Sequence, residues 1–164
     1  FMSKTIDNFR DFYKPNKQKE IFYISVAVKK ALEIMEPIFE SNKIEFEFNL
    51  IKDKKINAYE NEYSQVILNI LTNAKDVLIS RQIQNPKIII SINEKNNSII
   101  TTILDNAGGI ENGYINHIFD PYFTTKQKGS GIGLYMSKMI IESHFKGKIK
   151  VFNKDKGASF SIEV

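Results

Sequence analysis

The chain has no cysteine, no tryptophan and only two histidines among its 164 residues. Without cysteine it has neither disulfides nor thiolate metal sites, and a reducing cytoplasm suits it. Without tryptophan, phenylalanine supplies most of the aromatic bulk, twelve residues against seven tyrosines. That suits a buried core better than a base-stacking platform. No apolar run approaches the roughly 20 residues of a membrane span, so no membrane insertion is expected. Phe1-Met2-Ser3-Lys4 leads into a polar, helix-like stretch rather than a signal peptide. A first residue other than Met suggests a fragment cut from a longer protein. No block of like charge exists either. The net charge of +4 is spread over lysine-rich segments with Asp and Glu interleaved, which speaks for a soluble surface and against nucleic acid. Repeats and low-complexity segments are also missing.

What is present is one domain's worth of chain, 42% hydrophobic and 26% charged. Ile6, Phe9 and Tyr13 form a short amphipathic stripe that Pro15 ends. Residues 20–24 read as a strand, after which Ser25 is expected to cap a helix to about Asn42, kinked near its end by Pro37. Residues 44–50 alternate as a half-buried strand. Asn61 to about Arg81 carries the longest helical pattern, with Ile67, Ile70, Leu71, Ala74 and Leu78 on one face. Two strands, 87–94 and 98–105, are joined at Asn96-Asn97. Residues 106–130, rich in Gly, Asn, Thr and Lys, have no sustained period and read as a long functional loop. A helix from about Ile132 to His144 precedes strands near 148–152 and 158–164 around a turn at Asp155-Lys156-Gly157. Paired hairpins beside helices predict an α/β two-layer sandwich. Its sheet is expected to be mixed, mainly antiparallel, with about five strands on three helices.

Three features carry chemistry. The polar stripe of the 61–81 helix holds Glu62, Gln65, Asn69, Asn73 and Asp76. Asn69 and Asn73, four apart, stack at about 5–6 Å between Cβ atoms. A solvated face explains such a stripe, yet asparagine costs up to about 0.7 kcal/mol against alanine in a helix, and lysine or glutamate would solvate more cheaply. Two amide oxygens at this spacing can instead hold hydrated Mg²⁺ and the phosphates it bridges. Asp105 ends a strand before Asn106-Ala107-Gly108-Gly109-Ile110. This is a flexible Asp-Asn turn, or a carboxylate placed to accept the exocyclic amine of adenine and to reject the carbonyl of guanine. Gly129-Ser130-Gly131-Ile132-Gly133-Leu134 opens a helix, either as a plain flexible start or as a phosphate cradle of backbone N–H groups. No Gly-Lys-Ser/Thr follows, so it is not a Walker A loop. The basic segment Thr124-Thr125-Lys126-Gln127-Lys128, not a strand, precedes it, so it is not a Rossmann fingerprint.

In this order and spacing the features resemble the Bergerat-type ATPase fold, and more narrowly the catalytic domain of sensor histidine kinases. Asn69-Ile70-Leu71-Thr72-Asn73-Ala74 resembles the family's N box and Asp105–Ile110 its G1 box. Ile118-Phe119-Asp120-Pro121-Tyr122-Phe123-Thr124-Thr125-Lys126 is similar to the F box, Gly129–Leu134 to the G2 box, and Gly157-Ala158-Ser159-Phe160 to the last glycine motif. Ala107 stands where the family usually has glycine and Ala158 where threonine is common, so a hydroxyl contact to adenine is either lost or made by water or Ser159. Residues 1–16 resemble the end of the second helix of the dimerisation and phosphoacceptor domain, leaving 17–164 as the catalytic domain.

The resemblance implies that Mg²⁺ and ATP bind here. Asn73 and Asn69 would hold the metal, and Asn69 and Lys126 would take part in catalysis. The nucleotide would meet Asn69, Asn73, Asp76, Asp105, Gly109, Ile110, Phe123, Thr124, Thr125, the run Gly129, Ser130, Gly131, Ile132, Gly133 and Leu134, and Ser159. It further implies transfer of the γ-phosphate to a histidine on the dimerisation domain of a homodimeric parent. A response regulator would act downstream, in the cytoplasm. Residues 112–128 would form an ATP lid, packed down by Phe119, Tyr122 and Phe123. His117 and His144 lack an acceptor context, so the fragment alone should not phosphorylate itself. Related ATPases place glutamate at the Asn69 position to activate water; an amide cannot take that proton, which favours transfer over hydrolysis. The alternatives are an ATPase of this fold, or a nucleotide-sensing module without kinase activity.

Overall fold

The computed structural model describes residues 18–164; the segment read as a helix remnant, 1–16, lies outside them. The described elements are β1 (Glu20–Tyr23), α1 (Ile24–Ser41), β2 (Glu45–Leu50), β3 (Lys55–Ala58), α2 (Glu60–Ser80), β4 (Lys87–Lys95), β5 (Ser98–Asp105), α3 (Gly133–His144), β6 (Lys148–Lys154) and β7 (Gly157–Glu163). Strands β2-β4-β5-β7-β6 form one sheet, in which β2 and β4 run parallel and every other pair is antiparallel. The three helices pack on one face of it, giving the expected two layers.

Strand parity decides what reaches the core. On β4, Ile88, Ile90 and Ile92 are buried, and they pair with Asp105, Ile103 and Thr101 of β5. Ala158, Phe160 and Ile162 of β7 are likewise buried. Helix α2 lays its predicted stripe, Ile67, Ile70, Leu71, Ala74 and Leu78, on this surface. Tyr63 of α2 is fully buried and shares a 2.7 Å hydrogen bond with Thr101. Burial pushes its phenol far above the ordinary range, although the bond to Thr101 opposes this. The Asn96-Asn97 turn has positive φ at both residues (49° and 66°), the geometry of a tight hairpin.

Two expectations need correction. The strand at 20–23 does not join the main sheet but pairs antiparallel with β3, which the sequence reading passed over. Ser25 is not the cap of α1. The helix begins at Ile24 after Tyr23, without a side-chain cap, and Ser25 bonds Asp53 through both its amide (3.2 Å) and its hydroxyl. Pro37 lies near the end of α1, which runs to Ser41, next to the expected limit at Asn42.

Candidate functional site

Between α2, the end of β5, β7 and the segment 106–132 lies a cavity of about 470 Å³. Asp105 forms its inner end because β5 stops there, on the face that carries Thr101 and Ile103 toward the helices. The side chain is only 8% exposed. Its Oδ1 accepts from the amides of Ala107 (2.9 Å) and Ala158 (3.2 Å), which leaves Oδ2 for the cavity. Burial raises the Asp105 pKa above the usual aspartate value; the two amide bonds and the nearby Arg81 charge oppose that rise. Gly157 lets β7 pass this close, since a Cβ there would lie 1.6 Å from the Asp105 carbonyl oxygen. Gly109 and Ile110 line the same end.

At the other end the lid faces the polar side of α2. Lys126 donates to Asn73 Oδ1 (2.8 Å) and Asp76 Oδ2 (2.7 Å), while Lys75 pairs with Asp76 Oδ1 at 2.7 Å. Burial alone would raise the Asp76 pKa, but hydrogen bonds and charge from Lys126 and Lys75 outweigh it and hold the group below its usual value. Thr124, Thr125, Gly129, Ser130, Gly131, Gly133 and Leu134 line this end as well. Tyr122 donates its amide to Gly131 O at 2.9 Å, and a Cβ on Gly131 would lie 2.4 Å from the Tyr122 backbone. Only glycine permits that approach, and both residues have positive φ, 66° and 70°. Phe119 packs edge-on against Phe160, and Phe123 lies beside Tyr114. Tyr122 does not pack the lid down: it is 77% exposed.

Three predicted residues stand off the cavity. Asn69 turns its amide toward α3, donating to Ser137 Oγ (3.2 Å) and Gly133 O (3.5 Å). Ile132 is the residue before α3. Ser159 lies between Ala158 and Phe160, which both line the cavity. Strand alternation therefore points its hydroxyl away, where the buried Oγ has no partner among the described residues. The threonine-like contact sought at Ser159 is not in place. Arg81, which no motif signalled, lines the cavity and donates Nη1 to Ala107 O and Gly109 O, both at 2.8 Å.

The donor set tests whether a divalent cation suits the site. Asn73 Oδ1 and Asp76 Oδ2 converge on a single ammonium, so the two oxygens already bind one cation together. They fit Mg²⁺, which takes few protein ligands and keeps waters and phosphate oxygens for the rest. No cluster of three His, Cys, Asp or Glu suited to a metal occurs among the described residues, so an all-protein cage is not available.

Residues 58–164 match the model of the histidine kinase-, DNA gyrase B-, and HSP90-like ATPases. The sensor histidine kinase ZraS of Salmonella typhimurium is 35% identical over 98% of this chain and 34% of its own length. The signal transduction histidine-protein kinase AtoS of Escherichia coli is 32% identical over 98% of this chain and 26% of its own. The chain thus spans between a quarter and about a third of these relatives. Among solved structures, the nucleotide-free catalytic domain of the histidine kinase ThkA superposes with a TM-score of 0.80 at 26% identity, covering 90% of this chain and 95% of that one. The chain belongs to the histidine kinase-, DNA gyrase B- and HSP90-like ATPase family, on its sensor-histidine-kinase side.

Proposed function

We propose that the domain binds ATP with Mg²⁺ and presents the γ-phosphate to a histidine on the dimerisation domain of its parent, for onward transfer to a response regulator. The observation that carries this reading is the polarity of the cavity: a buried carboxylate at one end, an ammonium and a glycine-rich helix start at the other. Asp105 Oδ2 accepts the adenine amine. The phosphates lie toward the first turn of α3, whose N–H groups favour anions. Asn73 and Asp76 would hold the metal, while Asn69 keeps its amide on the foot of α3. Held there, Mg²⁺ would supply positive charge against the phosphates.

Lys126 then has two positions. Its ammonium sits on the same oxygens that the metal needs, so it must leave them when the nucleotide enters. Once free, it can reach the γ-phosphate and carry the lid with it. Asn69 is an amide and cannot take a proton from water, and a neutral imidazole acceptor needs no base near pH 7. Positioning and charge stabilisation therefore do most of the work.

The test is calorimetry followed by radiolabel transfer. Mg-ATP should bind well above GTP, and the isolated chain should not label itself. Adding the dimerisation hairpin in trans should produce acid-labile label on the hairpin, slowly because the tether is gone. Equal affinity for ATP and GTP would sink the nucleotide assignment. Label on the chain alone, abolished by His117→Gln or His144→Gln, would move the acceptor inside it.

A further inference from the structure

We propose that Arg81 and Asn153 are positioning residues that set the curvature of the loop 106–111 and thereby place the adenine end of the site, a proposal that rests on the nucleotide reading above. Neither residue belongs to any of the motifs. Arg81 stands at the C-terminal end of α2, and Asn153 sits near the end of β6. Between them the loop runs through Gly108 and Gly109 with φ of 100° and 84°, a path that turns carbonyls outward instead of pairing them locally. One nitrogen, Arg81 Nη1, collects the carbonyls of Ala107 and Gly109. From the other side the Asn153 amide pairs with Ile110 in both directions. Ile110 N–H donates to Oδ1 and Nδ2 donates to Ile110 O, both at 2.8 Å. The asparagine side chain thus imitates a neighbouring strand where the β6–β7 ladder has nearly ended.

The clamp acts on the ligand through its neighbours. Ala107 N–H is one of the two donors that fix Asp105 Oδ1, and Gly109 and Ile110 line the cavity. A Cβ on Gly109 would lie 2.8 Å from Asn153 Oδ1, so the loop and the amide already touch closely. Both clamping side chains are largely exposed. Exposed hydrogen bonds contribute little to global stability, so removing either one should loosen the loop and leave the fold intact.

The experiment compares Arg81→Ala, Arg81→Lys, Asn153→Ala and Asn153→Asp with the wild-type chain. Calorimetry with Mg-ATP and Mg-ADP, thermal unfolding, and amide exchange at Ile110 without nucleotide are measured on each. Arg81→Ala should weaken both nucleotides about tenfold, as loss of two hydrogen bonds from a charged donor implies. The ATP-to-ADP ratio should stay constant, because the loop touches the base and not the γ-phosphate. Arg81→Lys should recover most of the loss, since one nitrogen makes both bonds. Asn153→Asp should lose less than Asn153→Ala, because a carboxylate still accepts from Ile110 N–H but cannot donate to Ile110 O. Ile110 exchange should quicken in Asn153→Ala, which removes the acceptor of its N–H. Wild-type affinities in Arg81→Ala and Asn153→Ala, or unaltered exchange at Ile110, would overturn the proposal. So would a loss that Arg81→Lys does not recover and that follows the melting temperature. A wild-type chain that bound no adenine nucleotide would instead sink the reading of the site, while Ile110 exchange would still report on the clamp.

Discussion

Asp105 and Lys126 mark the two ends of one cavity, yet their surroundings are built by opposite means. The Asp105 end is made of backbone: strand termini, two amide donors on one oxygen, and a glycine pressed against the carbonyl of β5. The Lys126 end is made of long side chains on a segment with no helix or strand between Asp105 and Gly133, held to α2 by exposed polar contacts. Backbone placed by a ladder holds its position whether or not a ligand is there. Side-chain contacts exchange readily for others of similar strength. On the proposed reading, base recognition belongs to the fixed end and phosphate handling to the adjustable one.

The largest blow to this contrast is Gly157→Val. A branched side chain cannot share the space of the Asp105 carbonyl, so β5 and β7 must part. The fixed end should lose its shape along with the fold, a loss of several kcal/mol read by thermal unfolding. A variant that melted like wild type would show that the close approach is dispensable.

Next is Asp105→Asn, which separates recognition from stability. Oδ1 can keep its two amide donors, but Nδ2 then faces the adenine amine, donor against donor. ATP binding should fall about ten- to a hundredfold, the worth of a hydrogen bond to a charged group, and GTP should lose far less. Thermal stability should hold or rise. The raised Asp105 pKa means the folded state disfavours the carboxylate, so this group's contribution to stability declines as pH rises from the unfolded pKa to the folded one. Acidification through that window should stabilise the group yet weaken ATP binding. Calorimetry against pH checks the sign, and an affinity that rose on acidification would contradict it.

At the adjustable end, a non-hydrolysable ATP analogue should slow amide exchange across residues 112–128 while leaving β5 and β7 unchanged. Equal slowing in both regions would erase the contrast. The smallest effect expected is from Lys126→Gln. With the ammonium gone from Asn73 and Asp76, Mg-ADP should bind a few-fold more tightly, the scale of an exposed ion pair, while Mg-ATP loses its partner for the γ-phosphate. A parallel loss for both nucleotides would mean that Lys126 never competes for the metal oxygens.

The sequence showed the fixed end more plainly than the adjustable one, for physical reasons. Ile88, Ile90 and Ile92 alternate, and Ile67, Ile70, Leu71, Ala74 and Leu78 follow the helical period. Burial on one face leaves just such marks. Lys55–Ala58 leaves none, because a four-residue strand with one large apolar side chain is too short to show a period. Ser25 resembled a cap because its partner Asp53, 28 residues on, has no local signature. Ser159 and Ala158 could not be told apart while the parity of β7 was unknown. Gly157 pressed against Asp105 sets that parity. Asn73, Asp76 and Lys126 were each visible as candidates, but their mutual contact depends on how the lid folds back. Arg81 and Asn153 carried no signal in the sequence, since a side chain that serves another loop's backbone has no period.

The amide of Tyr122 on the carbonyl of Gly131 has a mechanical consequence. It pins together the two ends of the stretch that carries Thr124, Thr125 and Lys126. A short loop with fastened ends has already given up most of its freedom, so moving it costs little further entropy. Such a loop swings as one flap about Tyr122 and Gly131, both in the left-handed region and already turned. Replacing Gly131 with any L-residue would unfasten it, and the lysine would then have to find its oxygens from an open chain.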